Sequence, residues 1–254
     1  MNRYVVSDLH GQLDLFNQIK EYINEDDVVY ALGDFGDRGP EPWRTLQAVL
    51  DDKQFVYLMG NHDLMLVKAI EQYLKIPVED RDRRIVMYFY GRNPIAQLSI
   101  NGGIPTLKQW SEEPESIRYY KQLRTLPLQV TLPAKDMEHF IFLSHSGYTP
   151  NFCHYQSVED LVWDRYHFKD NWDGRGDISI HGHTPVQVMH HYADLSQEEI
   201  QTITDKGYLI YNNNSKINID LGAHDTGQTV LLNIDTLEGH IFKTRENIND
   251  REKN

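Results

Sequence analysis

The stretch DVVYALGDFGDRGPEPWRTLQAVL, Asp27–Leu50, decides how this chain is read. It opens on DVVYAL, whose β-branched and aromatic residues suit a strand. It then enters GDFGDRGP, Gly33–Pro40, where three glycines and a Gly-Pro step rule out both helix and strand. It ends in EPWRTLQAVL, with apolar residues at helical spacing. The same order recurs on both sides: RYVVS then QLDLFNQIKEYI before it, QFVYLM then DLMLVKAIEQYL after it. A β-α-β-α-β-α alternation predicts parallel strands joined by helical crossovers, an α/β protein whose ligands gather at the carboxyl ends of the strands.

Outward from this frame the pattern changes. Residues 79–137 read as a mainly helical insertion or cap, opened by the charge-dense EDRDRR, which suits a solvated helix face. From HFIFLSH onward the chain is strand-rich, through DISIHGH, GYLIYN, KINIDLG and TVLLNID, and residues 245–254 form a polar tail. One domain over residues 1–244 accommodates all of this.

With 40% hydrophobic residues the chain is globular. It has no apolar run of bilayer length and no signal-peptide segment, so the expectation is a cytoplasmic protein without a membrane partner. A net charge of −13 argues against nucleic acid as a partner. Cys153 stands alone, which excludes a disulfide framework and a thiolate cage; it reads as a buried, inert thiol.

The chemistry-bearing residues sit where apolar strands meet Gly-containing loops: Asp8 and His10 in SDLHG, Asp34 in GDFGDRG, Asn61 and His62 in GNHD, His145 in SHSG, His183 in HGHT. Strand alternation would send Asp8 and His10 to one side. Singly, an Asp in a Gly turn is a turn former and an Asn before a helix is a cap. Jointly, carboxylate, imidazole and amide donors without thiolate form a set for manganese, iron or zinc. About six such donors predict two divalent ions, which a shared carboxylate, here Asp34, holds about 3.5–4 Å apart.

The motifs SDLHG, GDFGDRG, GNHD and SHSG resemble the successive signatures of the PPP-type serine/threonine phosphatases of the calcineurin-like metallophosphoesterase superfamily, bacterial type. Ser7, where that family commonly has Gly, and SHSG, in place of HGG or HAG, depart from the pattern without removing a donor. The resemblance implies a β-sandwich with flanking helices (αββα) and a dinuclear site at one edge. It implies that Asp8 and His10 bind a first metal, that Asp34 bridges, and that Asn61, His145 and His183 bind a second, Asn61 also meeting substrate. Arg38 and Arg165 would grip phosphate oxygens, and His62, steadied by Asp37, would protonate the leaving group after attack by metal-activated water. His181, also in HGHT, remains a secondary candidate.

Three functions are expected from these residues. The first is a serine/threonine protein phosphatase, manganese-dependent, acting on phosphoprotein or phosphopeptide. The second is a bis(5'-nucleosyl)-tetraphosphatase acting on diadenosine tetraphosphate, whose family also often reads GNHD; Asp37, which those hydrolases tend to lack, favours the first. The third is an inactive metal-binding module, expected to have lost a donor or Arg38. Trp110, Tyr119 and Tyr120 of the insertion either roof the site or belong to the core, and Asp164 stands where it could alter the charge at the phosphate.

Overall fold

The computed structural model describes residues 1–81, 92–147, 157–170 and 172–245. The alternating first third is present: β1 (Arg3–Val6), α1 (Leu13–Tyr22), β2 (Val28–Ala31), α2 (Pro42–Asp51), β3 (Phe55–Tyr57) and α3 (Asn61–Leu74). Three helices follow, α4 (Pro94–Ile100), α5 (Ile104–Glu112) and α6 (Ser116–Leu123), then β4 (Gln129–Pro133), β5 (Phe140–Ser144), α7 (Val158–Trp163) and β6 (Ile178–His181). The chain ends through α8 (Gln197–Lys206), β7 (Leu209–Tyr211), β8 (Lys216–Asn218), the short α9 (Ala223–Thr226), β9 (Gln228–Asn233) and β10 (Gly239–Lys243).

The strands form two five-stranded sheets, β10-β9-β1-β2-β3 and β4-β5-β6-β8-β7. β1 pairs in parallel with β2, and β2 with β3. β5 pairs in parallel with β6, and β6 with β8. The remaining partners are antiparallel. Each sheet therefore has three parallel strands whose carboxyl ends open onto one edge of the molecule.

Burial explains why β1 is apolar on both faces. Val5 and Val6 are adjacent and both are fully buried, but they belong to different cores. Val5 packs with Leu32, Leu143, Ile180, Ile217 and Leu232 between the sheets. Val6 packs with Leu15, Ile19, Leu46 and Ile70 under α1, α2 and α3. The period-2 pleat thus feeds two layers at once, giving the expected α/β sandwich with flanking helices.

The insertion differs from expectation at its end, because Gln129–Pro133 is not cap but the edge strand β4, paired with β5. Its aromatics do not roof the site either. Trp110 and Tyr119 are buried in the core of the first sheet's helices, with Tyr119 edge-on to Trp43 and Trp110 edge-on to Tyr73. Tyr120 reaches Glu71. Of the charge run, Glu79 is exposed and Asp80 half-buried in a 3-10 turn and Arg81 stacks on Tyr73 at 4.8 Å, while Asp82–Arg84 lie outside the described residues. So do Cys153 and all of the tail but Arg245, which pairs with Asp14. Among the described residues no helix is long and apolar enough to cross a membrane.

Candidate metal centre

Six parallel strand ends deliver polar side chains to the open edge: Asp8 and His10 after β1, Asp34 after β2, Asn61 and His62 after β3, His145 after β5, His183 after β6, and Asp220 after β8. All are buried, none more than 8% exposed. Strand alternation is not what aims Asp8 and His10. β1 has ended at Val6, and both residues turn back through left-handed backbone, φ 54° and 43°. Asp34 (φ 60°), Asp37 (63°), Arg38 (64°) and His183 (69°) share this conformation, which costs an L-residue roughly 1–2 kcal/mol each. Ladder-like bonds between loops impose it: His10 N–H donates to the Asp34 carbonyl (3.0 Å) and Gly11 N–H to that of Phe35 (2.8 Å). Glycine is required where loops touch, since a Cβ on Gly60 would overlap Asp34 and one on Gly182 would overlap Ser7 and Asp8.

Two triplets result. Donor atoms of His10, Asp34 and His62 lie within 4.8 Å of one another, as do those of Asp34, His145 and His183. Asp34 belongs to both. Its Oδ2 is 4.0 Å from His10 Nε2 and 3.3 Å from His145 Nε2. Asn61 Oδ1 stands 2.8 Å from both His145 Nε2 and His183 Nδ1. The ring orientations are set from behind, because His10 Nδ1 meets the Gly36 carbonyl and His145 Nδ1 that of Leu32. Asp8 sits beside the triplets, accepting from Ser7 Oγ and from His183 N–H.

The electrostatics show a cluster not balanced from within. Burial disfavours ionisation of Asp34, but His145 and His62 outweigh it and hold the carboxyl well below the usual range. Burial likewise opposes protonation of His145, yet Asp34 and Asp8 push it up to about 10. Asp8 is pushed up to about 6 by burial, with Asp34 adding to it, and burial beside Asp8 raises Asp220 well above the carboxylate range. His183 is kept neutral by burial and by His145, and its Nε2 is buried without a hydrogen-bond partner among the described residues. Crowded carboxylates, the neutral imidazoles of His10 and His183 and the orphaned ring nitrogen of the latter are what a divalent cation would complete, and the oxygen and nitrogen donors suit manganese, iron or zinc.

His62 is placed by both neighbours. Its N–H donates to Asp34 Oδ1 (2.9 Å), its Nδ1 lies 2.8 Å from Asp37 Oδ2, and its Nε2 lies 2.9 Å from an Arg38 nitrogen. Burial lowers the basicity of its ring, but Asp34 and the hydrogen bond to Asp37 raise it on balance. Arg38, Arg165, His10, Asp34, Asn61, His62, His183 and Asp220 line one cavity of about 130 Å³. Arg165, one of the residues lining it, donates from Nε to Thr184 Oγ1 (3.1 Å), and its guanidinium rides 5.0 Å over Tyr192. Asp164 accepts from Tyr166 N–H and lines a neighbouring groove.

Two placements depart from the sequence reading. His181 faces the interior, with Nδ1 against the Gly182 carbonyl and Nε2 2.8 Å from Tyr211 Oη, so it does not reach the edge. Asp220 was not singled out, although KINIDLG repeats the strand, acid, glycine pattern of the other donors. Asp63, the final residue of GNHD, caps α3 at Gly60 and accepts from the Asp34 N–H, tying β2's loop to β3's.

The family model described as calcineurin-like phosphoesterase matches residues 1–187. Three curated relatives are symmetrical bis(5'-nucleosyl)-tetraphosphatases. That of Wigglesworthia glossinidia brevipalpis is 26% identical over 39% of this chain and 40% of its own length. That of Vibrio campbellii is 40% identical over 33% and 32%. That of Aliivibrio salmonicida is 27% identical over 60% and 46%. The chain thus spans less than half the length of these relatives. Among solved structures, a candidate diadenosine tetraphosphatase superposes with TM-score 0.59 at 16% identity, over 95% of this chain and 93% of its own. A serine/threonine phosphatase of Saccharomyces cerevisiae does so with TM-score 0.55 at 11% identity, over 96% and 80%. At such identities these structures share the fold and say nothing of substrate.

Proposed function

The chain belongs to the calcineurin-like phosphoesterase family, and from that premise we propose that it is a manganese-supported hydrolase that splits a dinucleoside tetraphosphate at its central anhydride. The observation that carries the hydrolytic reading is the pair of donor triplets sharing Asp34, with Arg38 and Arg165 on the same cavity. The choice of substrate is supported by the tetraphosphatase relatives. It reverses the preference drawn from Asp37, which marks how His62 is held and does not decide the substrate.

In this reading Asp8, His10 and Asp34 hold one cation and Asn61, His145 and His183 the other, with Asp34 shared. Bound there, the cations supply a nucleophilic oxygen near neutral pH and offset charge on the attacked phosphoryl group. Arg38 and Arg165 orient that group, their planar forks matching two phosphate oxygens, and Asn61 helps to seat it. His62 donates a proton to the departing oxygen, and Asp37 holds its ring for the transfer. Water adds to one central phosphorus as the bridging P–O bond breaks, leaving two nucleoside diphosphates.

A second reading follows from the His62–Asp37 contact at 2.8 Å. A nucleoside diphosphate leaves readily, whereas a serine or threonine alkoxide needs a proton, and a positioned acid is worth about 10²–10⁴-fold there. Side-by-side turnover of diadenosine tetraphosphate and a phosphoserine peptide by the manganese-loaded protein separates the two. The first reading expects a large preference for the dinucleotide and nucleoside diphosphate as product; preference for the peptide selects the second.

A further inference from the structure

The loop Gly36–Gly39 carries Asp37 and Arg38 in consecutive left-handed conformations, φ 63° and 64°. Residues in that region persist only where their surroundings over-determine them. Part of that constraint comes from outside the strand-end loops, from the insertion. The Gly102 carbonyl accepts the Arg38 N–H at 3.3 Å. Thr106, fully buried in the first turn of α5, uses its hydroxyl twice: it accepts the Asp37 N–H at 3.2 Å and donates to Asp37 Oδ1 at 2.5 Å. The other oxygen, Oδ2, is the one that meets His62 Nδ1. The approach is tight enough that a Cβ on Gly103 would stand 2.6 Å from Asp37 Oδ2.

We propose that Thr106 is a positioning residue of the reaction, which fixes the Asp37 carboxylate so that His62 presents Nε2 to the leaving oxygen. The insertion then serves the chemistry by bracing the acid from behind rather than by covering the substrate, in keeping with its buried Trp110 and Tyr119. The inference rests on the proposed role of His62. A carboxylate bonded on one oxygen only can rotate about its Cβ–Cγ bond, and misorientation of a catalytic group by a fraction of its hydrogen-bond geometry slows the step it serves.

The test is the dependence of kcat on leaving group, measured on the full chain with manganese across aryl and alkyl phosphates. Thr106→Val should lower kcat for alkyl phosphates by about 10–100-fold, the range seen when an orienting outer partner is removed. It should leave kcat for 4-nitrophenyl phosphate, and KM for both, within about twofold, and Thr106→Ser should restore the alkyl rate. Thr106→Ala replaces Thr106→Val if the latter fails to fold. Equal slowing of all substrates, or no change, overturns the proposal. His62→Asn separates the layers. If it does not steepen the same dependence, the role of His62 falls; if it does and the Thr106 variants do not, only the role of Thr106 falls.

Discussion

Two histidine-rich clusters lie a few residues apart around β6, and both are buried. At the strand-end edge stand His10, His62, His145 and His183 with Asp8, Asp34 and Asp220. Deeper in the second sheet stand His167, His181, Tyr211, Asp170 and Lys216. The inner cluster balances its charges: Lys216 Nζ donates to Asp170 Oδ1 (2.6 Å) and to the carbonyls of His167 and Asp170. Burial keeps His181 neutral, down to about 3, and its Nε2 lies within hydrogen-bond distance of Tyr211 Oη. The edge cluster crowds three carboxylates, Asp8, Asp34 and Asp220. Orphaned ring nitrogens occur in both clusters: among the described residues His183 Nε2 at the edge and both ring nitrogens of His167 inside are buried without a hydrogen-bond partner. Burial and shifted basicity are therefore common to a structural core and a candidate site, and the crowding of carboxylates, which a divalent cation would relieve, distinguishes them.

That contrast can be broken most sharply at Asp34. Asp34→Asn should abolish manganese-dependent hydrolysis of both diadenosine tetraphosphate and 4-nitrophenyl phosphate while the protein melts cooperatively; full activity would remove the shared donor from the mechanism. The inner cluster predicts the opposite pattern. Lys216→Met strands the Asp170 carboxylate and should cost about 3–5 kcal/mol of stability, read by urea denaturation, with activity per folded molecule retained. Saturating manganese should raise stability by about 2.7 kcal/mol per bound ion at one hundred times its dissociation constant. Chelation should reverse that gain, and the gain should vanish in Asp34→Asn. The smallest effect is one of pH. A carboxyl raised from 3.8 to about 6 contributes stability below pH 4 that is lost as pH climbs through 6. Chelated wild type should therefore lose more stability over that window than chelated Asp8→Asn, in which the raised carboxyls of Asp63 and Asp220 still contribute a loss, so the advantage of the variant should grow from pH 4 to pH 7. Thermal melts from pH 4 to 7 with and without chelator check this, and identical curves would show that Asp8 carries no such burden.

The edge was legible in the sequence because each donor follows an apolar strand and lies within three residues of a glycine, a local pattern. The inter-sheet sandwich was legible through the family resemblance, with which strands such as β1, β2 and β5, apolar on both faces, agree. What sequence could not supply was orientation. Asp8 and His10 share a side through left-handed turns and not through pleating, since ladder-like bonds between loops override the local preference. His181 and His183 look alike in HGHT, and only the partners brought by β7 and α3 tell them apart. The buried placement of Trp110 and the strand at Gln129–Pro133 depend on contacts with residues distant in sequence, which periodicity does not encode.

The left-handed donors carry a consequence for how this scaffold changes over time. Asparagine tolerates that backbone region about as readily as aspartate, whereas β-branched residues do not. Erasing a carboxylate at position 8, 34 or 37 by Asp→Asn therefore leaves the turns intact. On the roles proposed for these carboxylates, a lineage loses catalysis in one step and keeps its shape, so descendants that merely bind are within easy reach of those that cut.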